Sequence, residues 1–141
     1  MKRIGTVAAL AVLLGAGLVM AQSNSFRVRM TTVPIDPATQ ASVTGHGQAE
    51  ALLDGRRLTI SGEFEGLQGA ATIAQLHMGI ALGARGPSIH DLEVTRATEG
   101  SINATLQLSA REIDALRAGR LYVQIASESA PEGNLWGWLL Q

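Results

Sequence analysis

The sequence predicts an all-β fold, an antiparallel, Greek-key-like β-sandwich with one short helix, carried on an exported chain. Three observations predict it. Apolar and polar residues alternate with period two in short runs, spaced roughly 8 to 12 residues apart, with Gly, Pro, Asn and Asp between them. One segment, Ser109 to Gly119, breaks that period with helix start and stop signals. At the N-terminus, Met1-Lys2-Arg3 precedes the uncharged run Ile4 to Met20 and then Ala21, the layout of a signal peptide.

Val19 and Ala21 are the small residues that signal peptidase reads, so residues 1–21 are expected to be the signal peptide and 22–141 the mature domain, periplasmic or secreted after cleavage near Ala21. The alternative is an uncleaved anchor; Gly15, Ala16, Gly17 and Ala21 favour cleavage, which leaves no stable membrane span in the mature chain. The remaining 141 − 21 = 120 residues make one domain, able to bury roughly 65% of its unfolded surface without staples. With no cysteine, the chain has no disulfide, thiolate or Cys-metal chemistry and no lipoprotein attachment at a processed Cys. Without Lys2 and Arg3, nine basic residues face twelve acidic ones, and a net charge of −3 argues against a nucleic-acid partner.

In chain order, Phe26, Val28 and Met30 alternate with Arg27, Arg29 and Thr31, a half-buried strand that ends before the loop marked by Pro34 and Pro37. Val43 to Leu53 mixes helix propensity with strand context; Asp54-Gly55 directly after it, a tight-hairpin signal, decides for strand. Leu58, Ile60, Gly62 and Phe64 then point inward against Arg57, Thr59, Ser61, Glu63 and Glu65. After a bend at Gly66 to Gly69, Ala74, Leu76 and Met78 oppose Ile73, Gln75 and His77. Gly79 to Asp91 has no sustained period and reads as the longest irregular connection. Leu92 and Val94 begin another strand, Glu99-Gly100 turns the chain, and Ile102, Ala104, Leu106 and Leu108 return it.

Ser109 and Glu112 form a capping box, Leu108 is placed to staple onto Ile113, and Gly119 lies just past the helix end. A two-turn helix must lie against the sheet to persist. Leu121 to Ala126 and Leu135 to Leu140 close the chain as a hairpin around the polar break Ser127 to Gly133. One face of that hairpin is core; the other carries Tyr122, Gln124, Trp136 and Trp138, and so three of the five aromatic residues.

Ala74-Gln75-Leu76-His77, Gly83, Gly86-Pro87, the helix, Tyr122-Val123-Gln124-Ile125 and Pro131-Glu132-Gly133-Asn134-Leu135-Trp136-Gly137-Trp138-Leu139 together resemble the CHRD (chordin-type) domain family in an exported bacterial member. The resemblance covers about Phe26 to Gln141. It implies an all-β sandwich outside the cytoplasm and a non-enzymatic binding or envelope-associated role. The chain departs from the family pattern at several positions. Where the family shows Ala-His-Ile-His, Gln75 replaces the first His; in Tyr-Val-Asn-Ile-His, Gln124 and Ala126 replace Asn and the final His; in Gly-Glu-Ile-Arg-Gly-Gln-Leu, Asn134, Trp136 and Trp138 replace Glu, Arg and Gln.

The candidate ligand or partner face is therefore Gln75, His77, Tyr122, Gln124, Trp136 and Trp138, with an unidentified protein or glycan as partner. Indoles at i and i+2 offer a flat apolar platform, with amides of Gln75, Gln124 and Asn134 beside it; the opposing expectation is that the loop Gly79 to Asp91 or the helix covers them. A periplasmic metal-binding or redox protein using His46, His77 and His90 is the alternative function, weakened by the lack of any i, i+2 or i, i+4 His pair. No cofactor and no catalytic residue is expected: no Gly-x-Ser-x-Gly elbow occurs, and Glu63 and Glu65 read as solvated carboxylates.

Overall fold

A computed structural model describes residues 23–141; the expected signal peptide lies outside the described residues. The elements are β1 (Ser25–Thr32), β2 (His46–Asp54), β3 (Arg57–Glu65), β4 (Ala71–Met78), β5 (Ser88–Val94), β6 (Gly100–Gln107), α1 (Ala110–Arg117), β7 (Leu121–Ser127) and β8 (Leu135–Leu140). Strand alternation sets which residues go inward: β1 buries Phe26, Val28 and Met30, and β3 buries Leu58, Ile60 and Phe64, while the residues between them stay wet or half-buried.

The strands are antiparallel throughout and run round the molecule in the order β1-β2-β3-β6-β5-β4-β7-β8, with β8 pairing back to β1. The placement of β6 beside β3 and β7 beside β4 is Greek-key connectivity, as expected. The open two-sheet sandwich is corrected to a closed barrel. Ladders cross both seams at which two sheets would part: Arg27↔Leu140 through Thr32↔Leu135 join β1 to β8, and Glu93↔Asn103 with Val94↔Ile102 join β5 to β6. Period-two alternation sorts inside from outside identically for a sandwich and a barrel, so only seam pairing separates them.

An eight-stranded barrel is just wide enough for side chains to fill. Phe26, Met30, Leu58, Ile60, Leu76, Ile102, Ile125 and Leu135 do so, all essentially without solvent exposure. Close approach is enforced where side chains are missing: a Cβ on Gly137 would lie 2.6 Å from Val28 Cγ1 and 2.7 Å from the Arg29 carbonyl, so β8 sits tight on β1 only as glycine. Among the described residues the eight strands close on themselves around one continuous core.

Helix α1 caps one end of this barrel, where Leu108, Ala115 and Leu116 join the core. Its capping box forms in both directions, Glu112 N–H to Ser109 Oγ at 3.2 Å and Ser109 N–H to Glu112 Oε2 at 2.8 Å. Gly119, at φ +72°, closes the helix in a Schellman arrangement, with Arg120 N–H on the Ala115 carbonyl and Gly119 N–H on that of Leu116. Three boundaries differ from the sequence expectation: β2 begins at His46 rather than Val43, whose N–H is taken by the Thr39 carbonyl of the preceding turn. The β2–β3 turn is Gly55-Arg56, one residue later than read, because Asp54 still pairs with Arg57. The irregular connection ends at Pro87, since Ser88 onward pairs with β4; His90 is thereby a strand residue rather than a loop residue.

Candidate functional site

The six candidate face residues come from three adjacent strands and form two rungs on the barrel's exterior. Register places Gln75 opposite Gln124 and Gln124 opposite Trp136; one step along, His77 lies opposite Tyr122 and Tyr122 opposite Trp138. Cross-strand partners on one face are in side-chain contact by geometry, so alternation on β4, β7 and β8 assembles the array without help from any loop.

Within the second rung the rings pack on one another. His77 stacks on Tyr122 with centroids 4.9 Å apart, and Tyr122 meets Trp138 at 4.5 Å and Trp136 at 5.9 Å. The two indoles are 5.9 Å apart at an interplanar angle of 64°, an edge-to-face pair. The flat double-indole platform expected from the i, i+2 spacing is therefore not formed: the indoles meet edge to face and Tyr122 packs against both.

The connection from β4 to β5, residues 79–87, folds over this face and is tied down at Gly86. The Tyr122 hydroxyl donates to the Gly86 carbonyl and accepts from the Gly86 N–H, both at 3.1 Å, and His77 Nδ1 lies 2.9 Å from the same carbonyl. A carbonyl only accepts, so Nδ1 carries the proton in that bond. A Cβ on Gly86 would run into the Met78 carbonyl, which explains the glycine. The loop buries Tyr122, while the indoles it was expected to cover, Trp136 and Trp138, stay half-buried together with Gln75, Gln124 and His77.

Arg85 extends the loop's reach, its guanidinium 5.3 Å from the Trp136 ring centroid. Sequence reasoning passed over Arg85 because nothing in an aperiodic Gly-rich loop signals where one side chain lands. The amides are likewise engaged: Gln75 Nε2 donates to Asp91 Oδ1 at 2.9 Å, and Gln124 Nε2 to the Glu132 carbonyl at 3.3 Å.

Asn134 is not part of the face. It is fully buried, accepting from Ser127 Oγ at 2.7 Å and donating from Nδ2 to the Thr44 carbonyl at 2.7 Å, and so pins the β1–β2 loop to the β7–β8 turn. The amide expected beside the indoles is thus turned inward from the position just before β8.

The three histidines are not brought together. His46 pairs with Glu65 at 2.9 Å on the exposed β2–β3 edge, His77 lies on Tyr122, and His90 meets Glu112 at 3.2 Å. Among the described residues, no group of three or more His, Asp or Glu is arranged as a metal-ligand set. Glu112 is held below the usual carboxylate range: its partial burial opposes this, but the Ser109 N–H and the His90 ring outweigh it. The shallow hollows of the surface lie on the other outer face, along β1, β2, β3 and β6, among Arg29, Gln48, Glu50, Ser61 and Glu63. A second hollow, at the end of the same face, is lined by His46, Glu65 and Glu99 with the buried Phe64 at its floor.

The family model described as CHRD domain matches residues 23–139, from just ahead of β1 into β8. The chain belongs to the CHRD domain family. CHRD domains are non-enzymatic, binding-type modules, and the aromatic face is read within that frame. No curated protein and no solved structure shows a significant match to the chain. The departures from the CHRD pattern at residues 75, 124 and 136 now have a spatial meaning: they are the three members of a single rung, so the replacements sit side by side.

Proposed function

We propose that this CHRD domain is an exported binding module that holds a protein partner on the outer face of β4, β7 and β8. The observation that carries this is Arg85 lying over a Trp136–Trp138–Tyr122 cluster whose outer rings remain half-exposed. Trp, Tyr and Arg around a tight centre, rimmed by Gln75 and Gln124, are the residue types that dominate protein interfaces. Stacking on a sugar asks for an open ring face, and here the indoles are tilted against each other with a guanidinium over one of them. Export rests on the N-terminal pattern of Lys2-Arg3, the apolar run and Ala21.

The test is a photo-crosslinking amino acid placed at Gln75 or Gln124 in the producing cells, with Thr59 on the opposite outer face as control. A discrete protein adduct from the first two positions and none from Thr59 is the expected result. Adducts of equal yield from all three sink the assignment, as does a glycan array on which the wild type binds and Trp138→Ala does not.

A further inference from the structure

We propose that the helix-capped end of the barrel docks on an anionic lipid surface, independently of the aromatic face. All strands being antiparallel, that end gathers the β2–β3 hairpin, the base of the 79–87 loop, α1 and both ends of the described chain. It carries the most exposed large aliphatic side chains among the described residues. Ile80 is 83% exposed and Leu82 58%, and Leu140 at 43% lies beside them: a Cβ on Gly119 would be 3.4 Å from Leu140 Cδ2 and 3.9 Å from Leu82 Cδ1. Leu52, exposed near the end of β2, adds to the same end.

Charge is distributed along the barrel axis in the matching sense. Five arginines (Arg56, Arg57, Arg111, Arg117 and Arg120) stand at the helix end against three acids, Asp54, Glu112 and Asp114. The opposite end reverses this, with Arg96 alone against Asp36, Glu65, Glu99, Glu128 and Glu132. A chain of net negative charge thus presents a positive end, and that end also bears the aliphatic loop.

The occupant follows from the shape and the charge of this end. Ile80 and Leu82 protrude from a loop rather than line a pocket, and no aromatic anchor accompanies them at its tip. Protruding aliphatic side chains at an end that also exposes Arg56, Arg57 and Arg111 suit insertion among acyl chains beneath anionic headgroups, whereas protein hot spots sit in packed centres. Ser23 lies at this end, its carbonyl accepting from Arg117 Nη1 at 2.8 Å and from Gln141 Nε2 at 2.6 Å.

The test uses the closed barrel from Ser23 onward, so that the apolar run cannot itself bind, in co-sedimentation with phosphatidylcholine vesicles with and without about one third phosphatidylglycerol. Binding to the anionic vesicles alone is expected, weakened by salt. Ile80→Ser with Leu82→Ser is expected to weaken it at least about tenfold, and Arg56→Gln with Arg57→Gln several-fold. Ile35→Ser, at the opposite end, is expected to change nothing. Absence of pelleting with anionic vesicles, equal pelleting with both compositions, or a Ser double variant that binds like wild type overturns the proposal. So does a self-association that the Ser variant abolishes without any vesicle binding, which assigns the loop to a second copy.

Discussion

The outer face of β1, β2, β3 and β6 and the outer face of β4, β7 and β8 arise from the same period-two alternation but end in different physical states. On the first, one rung reads Arg27, Glu50, Ser61 and Asn103, all exposed and without an overlying segment. On the second, the rung His77, Tyr122 and Trp138 is packed ring on ring and tied to a loop, and β7 is buried on nearly every residue. The difference shows that a barrel needs only its interior for folding. A second packed layer outside it is an addition whose residues answer to something other than closure. An exterior of short polar side chains costs nothing and keeps the chain soluble, whereas tilting indoles against a buried tyrosine creates a rigid surface with chemical character.

Substitution at matched positions on the two faces sharpens that contrast most. Tyr122→Ala removes the buried ring on which His77 and both indoles pack and the hydroxyl that holds Gly86, and an unfolding loss of about 3–5 kcal/mol is expected in denaturant titration. Thr59→Ala on the wet face is expected to stay within about 0.5 kcal/mol; comparable losses at both positions would erase the distinction between the faces. Asn134→Ala comes next. It leaves the Thr44 carbonyl without the Asn134 amide and removes the strongest partner of Ser127 Oγ, which keeps Ser129 and the Ala130 N–H, at a cost of about 2–3 kcal/mol, and faster amide exchange in residues 33–45 would show that the pinned loop was released.

A smaller effect than at Tyr122 or Asn134 is expected at the helix. Glu112→Gln keeps the N-terminal hydrogen bond but removes the charge, for about 0.5–1 kcal/mol at neutral pH. Because the folded-state pKa of Glu112 is lowered from 4.5, its contribution is fully present above that value and is lost as pH falls through the folded pKa. The stability difference between wild type and variant is therefore expected to shrink below about pH 4.5. A gap that persists unchanged into acid would show that the carboxylate charge was not its source.

All eight strands and the helix were legible because each carries a local signal: alternation for the strands, and Ser109, Glu112 and Gly119 for α1. The two-rung array was legible for the same reason, since Tyr122, Gln124, Trp136 and Trp138 had to share a face once Val123 and Gly137 were inside. What escaped was non-local. Barrel closure depends on β1 meeting β8, and no residue of either strand states that partner. Ser88 to Asp91 belongs to β5, yet Ser88-Ile89-His90-Asp91 does not alternate, because β5 pairs irregularly with β4 around His77. Arg85 and Gly86 were invisible as site residues because their role is set by where an aperiodic loop comes down. Asn134, expected as an amide beside the indoles, is buried instead, because its partners Ser127 and the Thr44 carbonyl come from segments that no local pattern brings together.

The pairing of β1 with β8 also sets a timetable. The first strand to leave the ribosome must wait for the last, so β1 and β7 each keep one bare ladder edge until residues 135–140 arrive. Contacts spanning nearly the full length of the domain place its folding at the slow end, in the millisecond to second range typical of all-β barrels. During that wait the charged Arg27 and Arg29 along β1 act as gatekeepers against edge-to-edge pairing between nascent copies, a duty that ends when the barrel shuts.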